Sequence, residues 1–505
     1  MRIDKLYIKE FKNLREFFID FDESTLTTVL IGRNGTGKSN LIEALVIIFK
    51  DLDLGEDPRF AYKLTYICRG KRIEIDADPE RLPNKVQIVV EGGKLSLRAF
   101  SQAQDREYLP ANIFGYYSGP SNRLEQHFAT HQQRFYRQLL DGQQEPLRPL
   151  FYARLIHSQF VLLAFYSSEE QHLTDFLQTY LGITGLESVL FVLKQPPWWQ
   201  RSKYRNDLFW GARGVVRAFL EELFDIALAP IRYRDHFYLY IHDLQSLQKL
   251  AQKYHNNVNF FKTLESTYIS EVIQEVRIRV RKLGTSAGLT YTELSEGEQQ
   301  LLTVLGLLRF TKEEESLFLL DEPDTHLNPA WKLEYLDLLK KVVGENESSQ
   351  IIMSTHDPIV IGGMSKEQVR VLVRREDGKN ISYQPSKNPA GMGVAALLTS
   401  DVFGLRTSLD LQTQGKLDRK RELLVKRNKE ELTEGETEKL ERLDHELQDL
   451  GFTRTTRDPL YAQFIVAMSE YEQFQEPVLS IEAREEQARI ARRIVGQLQR
   501  ETEAE

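Results

Sequence analysis

Leu30-Ile31-Gly32-Arg33-Asn34-Gly35-Thr36-Gly37-Lys38-Ser39-Asn40-Leu41 is the stretch on which the fold turns. An apolar strand, Thr28 to Ile31, runs into a loop with three glycines, and from Asn40 to Phe49 the apolar residues Leu41, Ala44, Leu45 and Ile48 recur at helical spacing. Gly32 to Ser39 satisfies G-x-x-x-x-G-K-S, and strand, glycine loop, helix is the setting in which that pattern holds phosphate. The backbone N–H groups of Gly32, Arg33, Asn34, Gly35, Thr36 and Gly37 are expected to close around the β-phosphate, with Asn40 in the same binding stretch. Lys38 neutralises the β/γ charge and the Ser39 hydroxyl binds a metal, so the expected ligands are ATP and Mg²⁺.

Leu317-Phe318-Leu319-Leu320-Asp321-Glu322-Pro323 reads as a buried strand that delivers two acids. Asp321 suits the Mg²⁺ shell, and Glu322 suits a general base that polarises an attacking water. Taken alone, the pair also fits a helix N-terminus, where acids are favoured and Pro323 suits the first turn. Beside a P-loop, the two motifs support each other. Between them, Glu293-Leu294-Ser295-Glu296-Gly297-Glu298-Gln299-Gln300 opens a helix whose N-terminal amides and dipole form a second anion site. The same residues fit a plain capping box, Ser295 with Glu298 at the third helical position. His356, in Ser354-Thr355-His356-Asp357, follows another buried strand and by itself is an ordinary strand-end histidine.

Leu294 to Gln300, placed shortly before the acidic strand, closely resembles the signature of ATP-binding-cassette (ABC) proteins. Asp324-Thr325-His326-Leu327-Asn328 resembles their D-loop, and Ser354 to Asp357 their switch-histidine segment. The resemblance implies an α/β fold with an ABC-type P-loop ATPase core, split in sequence. It implies that two chains stack head to tail, ATP on the P-loop of one being closed by Ser295, Gly297 and Glu298 of the other. Lys38, Glu322 as base and His356 as sensor of the γ-phosphate would form the catalytic set, with Ser39 and Asp321 on the metal. The family's glutamine loop has no clear counterpart: Phe114-Gly115-Tyr116-Tyr117-Ser118-Gly119-Pro120 lies in the right region without a glutamine.

About 255 residues separate Gly37 from Ser295, more than a transporter subunit needs, and the helix after the signature is apolar where transporters carry a basic one. The opening strands around Phe11-Lys12-Asn13-Leu14 resemble the RecF, Rad50 and SMC group; Lys12 is either a nucleotide contact or a surface-turn lysine. The long heptad arms of SMC or Rad50 are missing, since Gln132 to Glu275 is broken by prolines and aromatics. Within that group the chain resembles the OLD-like defence ATPases through His326-Leu327-Asn328-Pro329, and in particular the PtuA family of Septu and retron-associated systems through Tyr116 to Ser121 and Gly391-Met392-Gly393-Val394. That resemblance implies an ATP-hydrolysing subunit of a bacterial anti-phage complex. It would regulate a separate HNH nuclease (PtuB-like) through ATP-dependent dimerisation in a homo-oligomer, in some systems beside a reverse transcriptase with its DNA–RNA hybrid. Neither TOPRIM acids in a suitable strand after Arg375 nor an HNH-type histidine cluster is visible, so nuclease activity is not expected in this chain. Two alternatives stay open: a RecF-like DNA-repair ATPase without a nuclease partner, and an OLD-type self-contained nuclease.

Composition narrows the setting. Lys plus Arg at 66 against Asp plus Glu at 74 gives −8, which excludes a generally basic coat and leaves nucleic acid only limited surfaces. The single cysteine, Cys68, excludes a disulfide scaffold, and no run approaches about 18 apolar residues, so no membrane role and a cytoplasmic setting are expected. Four regions are expected: 1–131, the N-terminal part of the core, with an antiparallel β lobe from Leu64 to Leu97; 132–275, a helical insertion; 276–400, the C-terminal part of the core; and 401–505, a helical partner or oligomerisation region. Arg277, Arg279, Arg281 and Lys282 follow strand alternation, as a DNA contact or as a solvated edge. Lys194 to Arg205 mixes cations with Trp198, Trp199 and Tyr204, as a stacking site or as loop packing. Lys416 to Leu450, dense in both charge signs, reads as two helices broken near Thr433-Glu434-Gly435, either docking a partner or paired with each other. Helices around 460–471 and 481–499 end the chain.

Overall fold

The N-terminal alternation folds as a hairpin: β1 (Arg2–Phe11) pairs antiparallel with β2 (Leu14–Asp20) across a turn that holds Lys12 at φ 54°. Ile3, Leu6, Ile8, Phe17 and Ile19 are fully buried on one face, as a two-residue period requires. β3 (Thr27–Gly32) leads through the glycine loop into the P-loop helix, Lys38–Leu54. β4 (Tyr62–Cys68), β5 (Lys71–Ala77), β6 (Val86–Val90) and β7 (Gly93–Leu95) follow, completing an antiparallel sheet of order β2-β1-β4-β5-β6-β7. The computed structural model describes all residues except 23, 26, 143–148, 168–169, 201–206, 285–287, 311–314, 344–347, 430–431, 450–463, 465–466, 469–470, 472–480 and 505. Residues 201–205 of the cation–aromatic stretch and most of the helix expected at 460–471 therefore lie outside the described residues.

After β8 (Ile113–Tyr117) and β9 (Leu150–Tyr152) comes the region expected to be a helical insertion. It is mixed. Helices such as Ala129–Asp141, Ile156–Tyr166, Gly214–Ile226 and Asn257–Ile269 are present. So are β10 (Ile183–Lys194), β11 (Ile231–Tyr233) and β12 (His236–Ile241), which join β13 (Ile273–Lys282) and β14 (Leu289–Thr290) in a sheet of order β11-β12-β10-β13-β14. The expectation failed at Ile183 to Lys194 because its apolar part, Val189 to Leu193, is unbroken and has no period to separate a buried strand from a buried helix. His236-Phe-Tyr-Leu-Tyr-Ile241 does alternate, but over only six residues.

β15 (Leu317–Asp321), β16 (Gln350–Ser354), β17 (Val369–Arg374) and β18 (Asn380–Tyr383) complete a seven-stranded sheet of order β18-β17-β3-β16-β15-β8-β9, parallel throughout except for β18. Both of its faces are covered, so its strands are apolar on both sides. Leu317 and Leu319 enter one core, shared with the P-loop helix and the antiparallel lobe. Phe318 and Leu320 enter the other, shared with the insertion and the helices Glu296–Phe310 and Pro329–Val343. The C-terminal region pairs Leu411–Lys429 with Glu434–Asp449 around buried Leu423, Leu440 and Leu443, with Lys416–Glu446 and Lys426–Glu436 ion pairs at 2.8 Å, so the charged helices bind each other. Ile481–Ala504 follows, and Arg484 donates to Asp401 O at 3.2 Å. No helix among the described residues is long and apolar enough to cross a membrane.

The insertion grips the core where Ile156–Tyr166 crosses Glu296–Phe310. At Gly306 an added Cβ would lie 2.1 Å from Val161 Cγ1, and Val161 is itself fully buried. Gly306→Ala should therefore cost about 1–3 kcal/mol by forcing the helices apart, despite alanine's better helix propensity. Urea unfolding of the two chains measures it; a stabilised variant would refute the close crossing.

Candidate nucleotide site

The P-loop is shaped by close approach. A Cβ on Gly32 would fall 2.3 Å from Leu372 O of β17, and one on Gly37, at φ 100°, would fall 2.6 Å from Leu14 Cδ2. Thr36 closes the turn, its N–H reaching Arg33 O at 3.2 Å and its hydroxyl the same oxygen at 2.8 Å. Arg33, Asn34 and Gly35 are exposed on the loop. Gly37 caps the P-loop helix with no side-chain acceptor, so the helix N-terminus offers its amides to an anion. Lys38 is buried and bends back to donate to Gly32 O at 2.6 Å and to Arg33 O at 3.4 Å. Burial pulls its pKa down, while Glu322 and Asp321 act in the opposite direction.

Parallel register brings the second motif to the loop. Asp321 lies level with Ser354 of β16 and Tyr117 of β8, and Ser354 lies level with Leu30 of β3, so the strands end together at their carboxyl edge. The buried Asp321 carboxylate accepts from Ser39 Oγ at 3.0 Å and from Ser354 Oγ. Burial pushes its pKa up, against the pull of those two hydroxyls. Glu322 follows at φ 54°, a left-handed conformation that costs a non-glycine residue energy, and its N–H is tied to Ser354 O at 3.1 Å. The Glu322 carboxylate sits 3.3 Å from Nδ1 of the exposed His356.

The signature segment faces elsewhere. Ser295 caps its helix with Glu298: the Glu298 carboxylate takes the Ser295 N–H at 2.8 Å and its hydroxyl at 3.0 Å. Lys282, at the end of β13, donates to the other Glu298 oxygen. A Cβ on Gly297 would meet His326 O at 2.5 Å, and Gln300 Oε1 accepts the His326 N–H at 2.9 Å, so the signature packs on its own D-loop. Ser295 itself is exposed. The structure thus brings Lys38, Ser39, Asp321, Glu322 and His356 together. The side chains of Ser295 and Glu298 hydrogen-bond within the cap and to Lys282.

Five contributors were given no role by the motif reading. Asn13 in the first hairpin turn donates to Gly35 O at 2.7 Å and accepts from Asn40 Nδ2 at 2.6 Å, bracing the P-loop from outside. Ser354 holds Asp321, and Thr355 Oγ1 donates to Asp324 Oδ2 at 2.8 Å. Arg123 reaches Asn40 Oδ1 at 2.7 Å. Buried Glu43 gathers Lys12, Arg123 at 3.2 Å and His127 at 3.0 Å. A buried acid at helix spacing from Ser39 was the available signal. In the glutamine-loop region Ser118 Oγ lies 3.0 Å from Thr325 Oγ1 of the D-loop.

Residues 1–99 match a family model described as AAA ATPase domain, and residues 203–362 match one described as AAA domain, putative AbiEii toxin, Type IV TA system. The two matches hold the P-loop and the acidic strand that the parallel sheet joins. In both stretches the chain resembles AAA-type ATPase domains. The Septu protein PtuA of Bacillus mycoides is 27% identical over 201 residues, 38% of this chain and 26% of that protein. The Retron Vc95 probable ATPase of Vibrio cholerae is 25% identical over 184 residues, 33% of this chain and 34% of that one. The match therefore spans no more than 26% and 34% of these curated relatives. The SMC head domain from Thermotoga maritima aligns over 76% of this chain and 99% of that one, at 16% identity and a TM-score of 0.32.

Glu43 gives the core a pH signature. Burial raises its pKa, but hydrogen bonds from His127 and Lys12 outweigh that and bring it to about 2, from 4.5. A depressed folded-state pKa stabilises fully above pH 4.5 and loses that contribution as pH falls towards 2. The stability gap between wild type and Glu43→Gln in urea should be largest near neutrality and shrink through that window. A gap that does not change with pH would rule out the ion cluster as its source.

Proposed function

We propose that the chain is the ATP-binding and ATP-hydrolysing subunit of a bacterial anti-phage defence complex, working as a head-to-tail dimer that regulates a separate HNH nuclease. One observation carries the ATPase part: Lys38, Ser39, Asp321, Glu322 and His356 meet at one sheet edge, with Ser39 and Asp321 3.0 Å apart. Two hard oxygen donors, one a dry carboxylate, fit Mg²⁺, which when bound supplies positive charge to the phosphate oxygens. Lys38, released from Gly32 O, meets the β- and γ-phosphates, and the helix N-terminus at Gly37 holds the anion. Glu322 accepts a proton from the attacking water, and His356 at 3.3 Å orients that carboxylate and the γ-phosphate. Gly32 to Asn40 form the binding stretch.

The exposure of Ser295 at the head of the signature helix supports dimerisation, with ATP on a second copy's P-loop closed by Ser295, Gly297 and Glu298. The core comprises 1–131 and 276–400, the insertion 132–275 and the partner or oligomerisation region 401–505. The defence role, the PtuB-like nuclease and, in retron-type systems, a reverse transcriptase with its DNA–RNA hybrid rest on the likeness to PtuA and the Retron Vc95 ATPase.

Glu322→Gln should lower the ATP hydrolysis rate by about 100-fold or more while leaving ATP binding intact and trapping a dimer in sedimentation analysis. Normal turnover would remove Glu322 as base. A mixing experiment tests the geometry separately: Lys38→Ala and Ser295→Arg chains, each inactive alone, should together regain roughly a quarter of wild-type activity, because half the dimers hold one intact composite site. Mixtures as inactive as their components would mean that each chain completes its own site.

A further inference from the structure

The β11-β12-β10-β13-β14 sheet has two unlike faces. Phe191, Leu193, Phe237, Leu239, Val276 and Ile278 point inward and are buried in the core. The opposite face is open along its β11–β12 side, where Ile231 is 58% exposed, Tyr233 57% and Tyr240 39%, while Val192 at its centre is buried. Register sets the rows across it. Ile231, Tyr238, Val192 and Glu275 lie side by side, as do Tyr240, Leu190 and Arg277, and Arg279 and Arg281 continue the arginine line along β13. One half of the face is therefore aromatic and apolar, and the other half is a stripe of guanidinium groups.

We propose that this face binds single-stranded nucleic acid, with bases stacking on Tyr233, Tyr238 and Tyr240 and phosphates meeting Arg277, Arg279 and Arg281. Every second residue of a strand advances about 7 Å, so each arginine meets its own phosphate. Arg277 and Arg279 are more than half exposed; Arg277 forks onto Glu275 at 2.8 Å, and Arg279 lies 3.7 Å from Glu187. Glu275 precedes Arg277 in the same line on β13, and Glu187 of β10 reaches Gly288 beside Arg279, so a phosphate would share these guanidinium groups with the two acids. Tyrosines in open rows beside the stripe offer ring faces that a duplex, with its bases stacked inside, does not use, and this selects a single strand. A protein partner would use the apolar half but leave three aligned arginines without a role. Chain charge is −8, so the stripe is a local reversal of sign that localises an anion to one face. The inference stands on this sheet alone and does not depend on ATP hydrolysis.

Fluorescence anisotropy with a fluorescein-labelled oligo-dT of about 30 nucleotides tests it. Three phosphate contacts predict a log–log salt slope of about −2, or about 16-fold weaker binding at 200 mM than at 50 mM salt. Tyr233→Ala with Tyr240→Ala should weaken the single strand by about tenfold or more while leaving a duplex competitor unaffected. Arg277→Glu, Arg279→Glu and Arg281→Glu together should abolish binding, and the ATP hydrolysis rate of both variants should remain that of wild type. Photo-crosslinking of iodouracil-substituted oligo-dT to the unmodified chain needs no variant, and its adducts should map to Tyr233, Tyr238 or Tyr240. Absence of binding by wild type, unchanged binding by the arginine variant, adducts confined to other residues, or loss of a co-purifying protein with oligonucleotide binding intact would each overturn the proposal.

Discussion

The Asp321 carboxylate is a charge carried to the buried end of an apolar strand, and the rest of the core is organised around making that tolerable. Taking a carboxylate out of water costs several kcal/mol unless polar partners replace the lost hydration. Here the partners are the hydroxyls of Ser39 and Ser354. Each comes from a different segment, and both are delivered only if β3, β16 and β15 run parallel and end in one register. The arrangement leaves β16 between the P-loop strand and the acid strand, so the two motifs stand roughly 10 Å apart at strand spacing and the side chains close the gap. Gly32 is then forced, because β17 passes too close for any side chain.

Most of this was legible in the sequence wherever a residue type had one physical use. Gly32 to Ser39, Leu317 to Glu322 and the strand before His356 were read with nearly their observed limits, since glycine loops and acid-ended apolar strands have few alternatives. Pro329 to Val343 came out as a helix with those ends. What stayed hidden was of two kinds. Val189 to Leu193, the heart of the strand Ile183–Lys194, is apolar on both sides, so periodicity could not choose its state, and a five-stranded sheet went unseen with it. Asn13, Arg123 and Glu43 are polar residues with many ordinary uses, and their role arises only from contacts across long sequence separations.

The capping box at Ser295 shows why local and functional readings of one motif need not compete. The hydrogen bonds of Ser295 and Glu298 are those of a plain helix cap. Yet the cap fixes an exposed serine hydroxyl and a helix N-terminus in one place, and Gly297 lets His326 press against it. A rigid cap is what presentation to a second molecule requires, because ordering it at the moment of binding would cost conformational entropy.

The same cap ties the insertion to the nucleotide site. Lys282 ends β13 and holds Glu298; Tyr291, between β14 and the signature, hydrogen-bonds Ser158 on the insertion helix Ile156–Tyr166; and Gly306 further along the signature helix is locked against Val161 of that same helix. The first contact ties the signature helix to β13 and the other two tie it and the segment before it to the insertion, and apart from the Lys282 pair they are buried. Close-packed interiors transmit displacement and do not absorb it. In the proposed dimer, a shift of the signature helix towards a second P-loop would carry β13 and its exposed arginine stripe with it, whereas the P-loop helix belongs to the other core, across the parallel sheet. Closure of the nucleotide site and movement of the outer sheet face would then be coupled through these contacts.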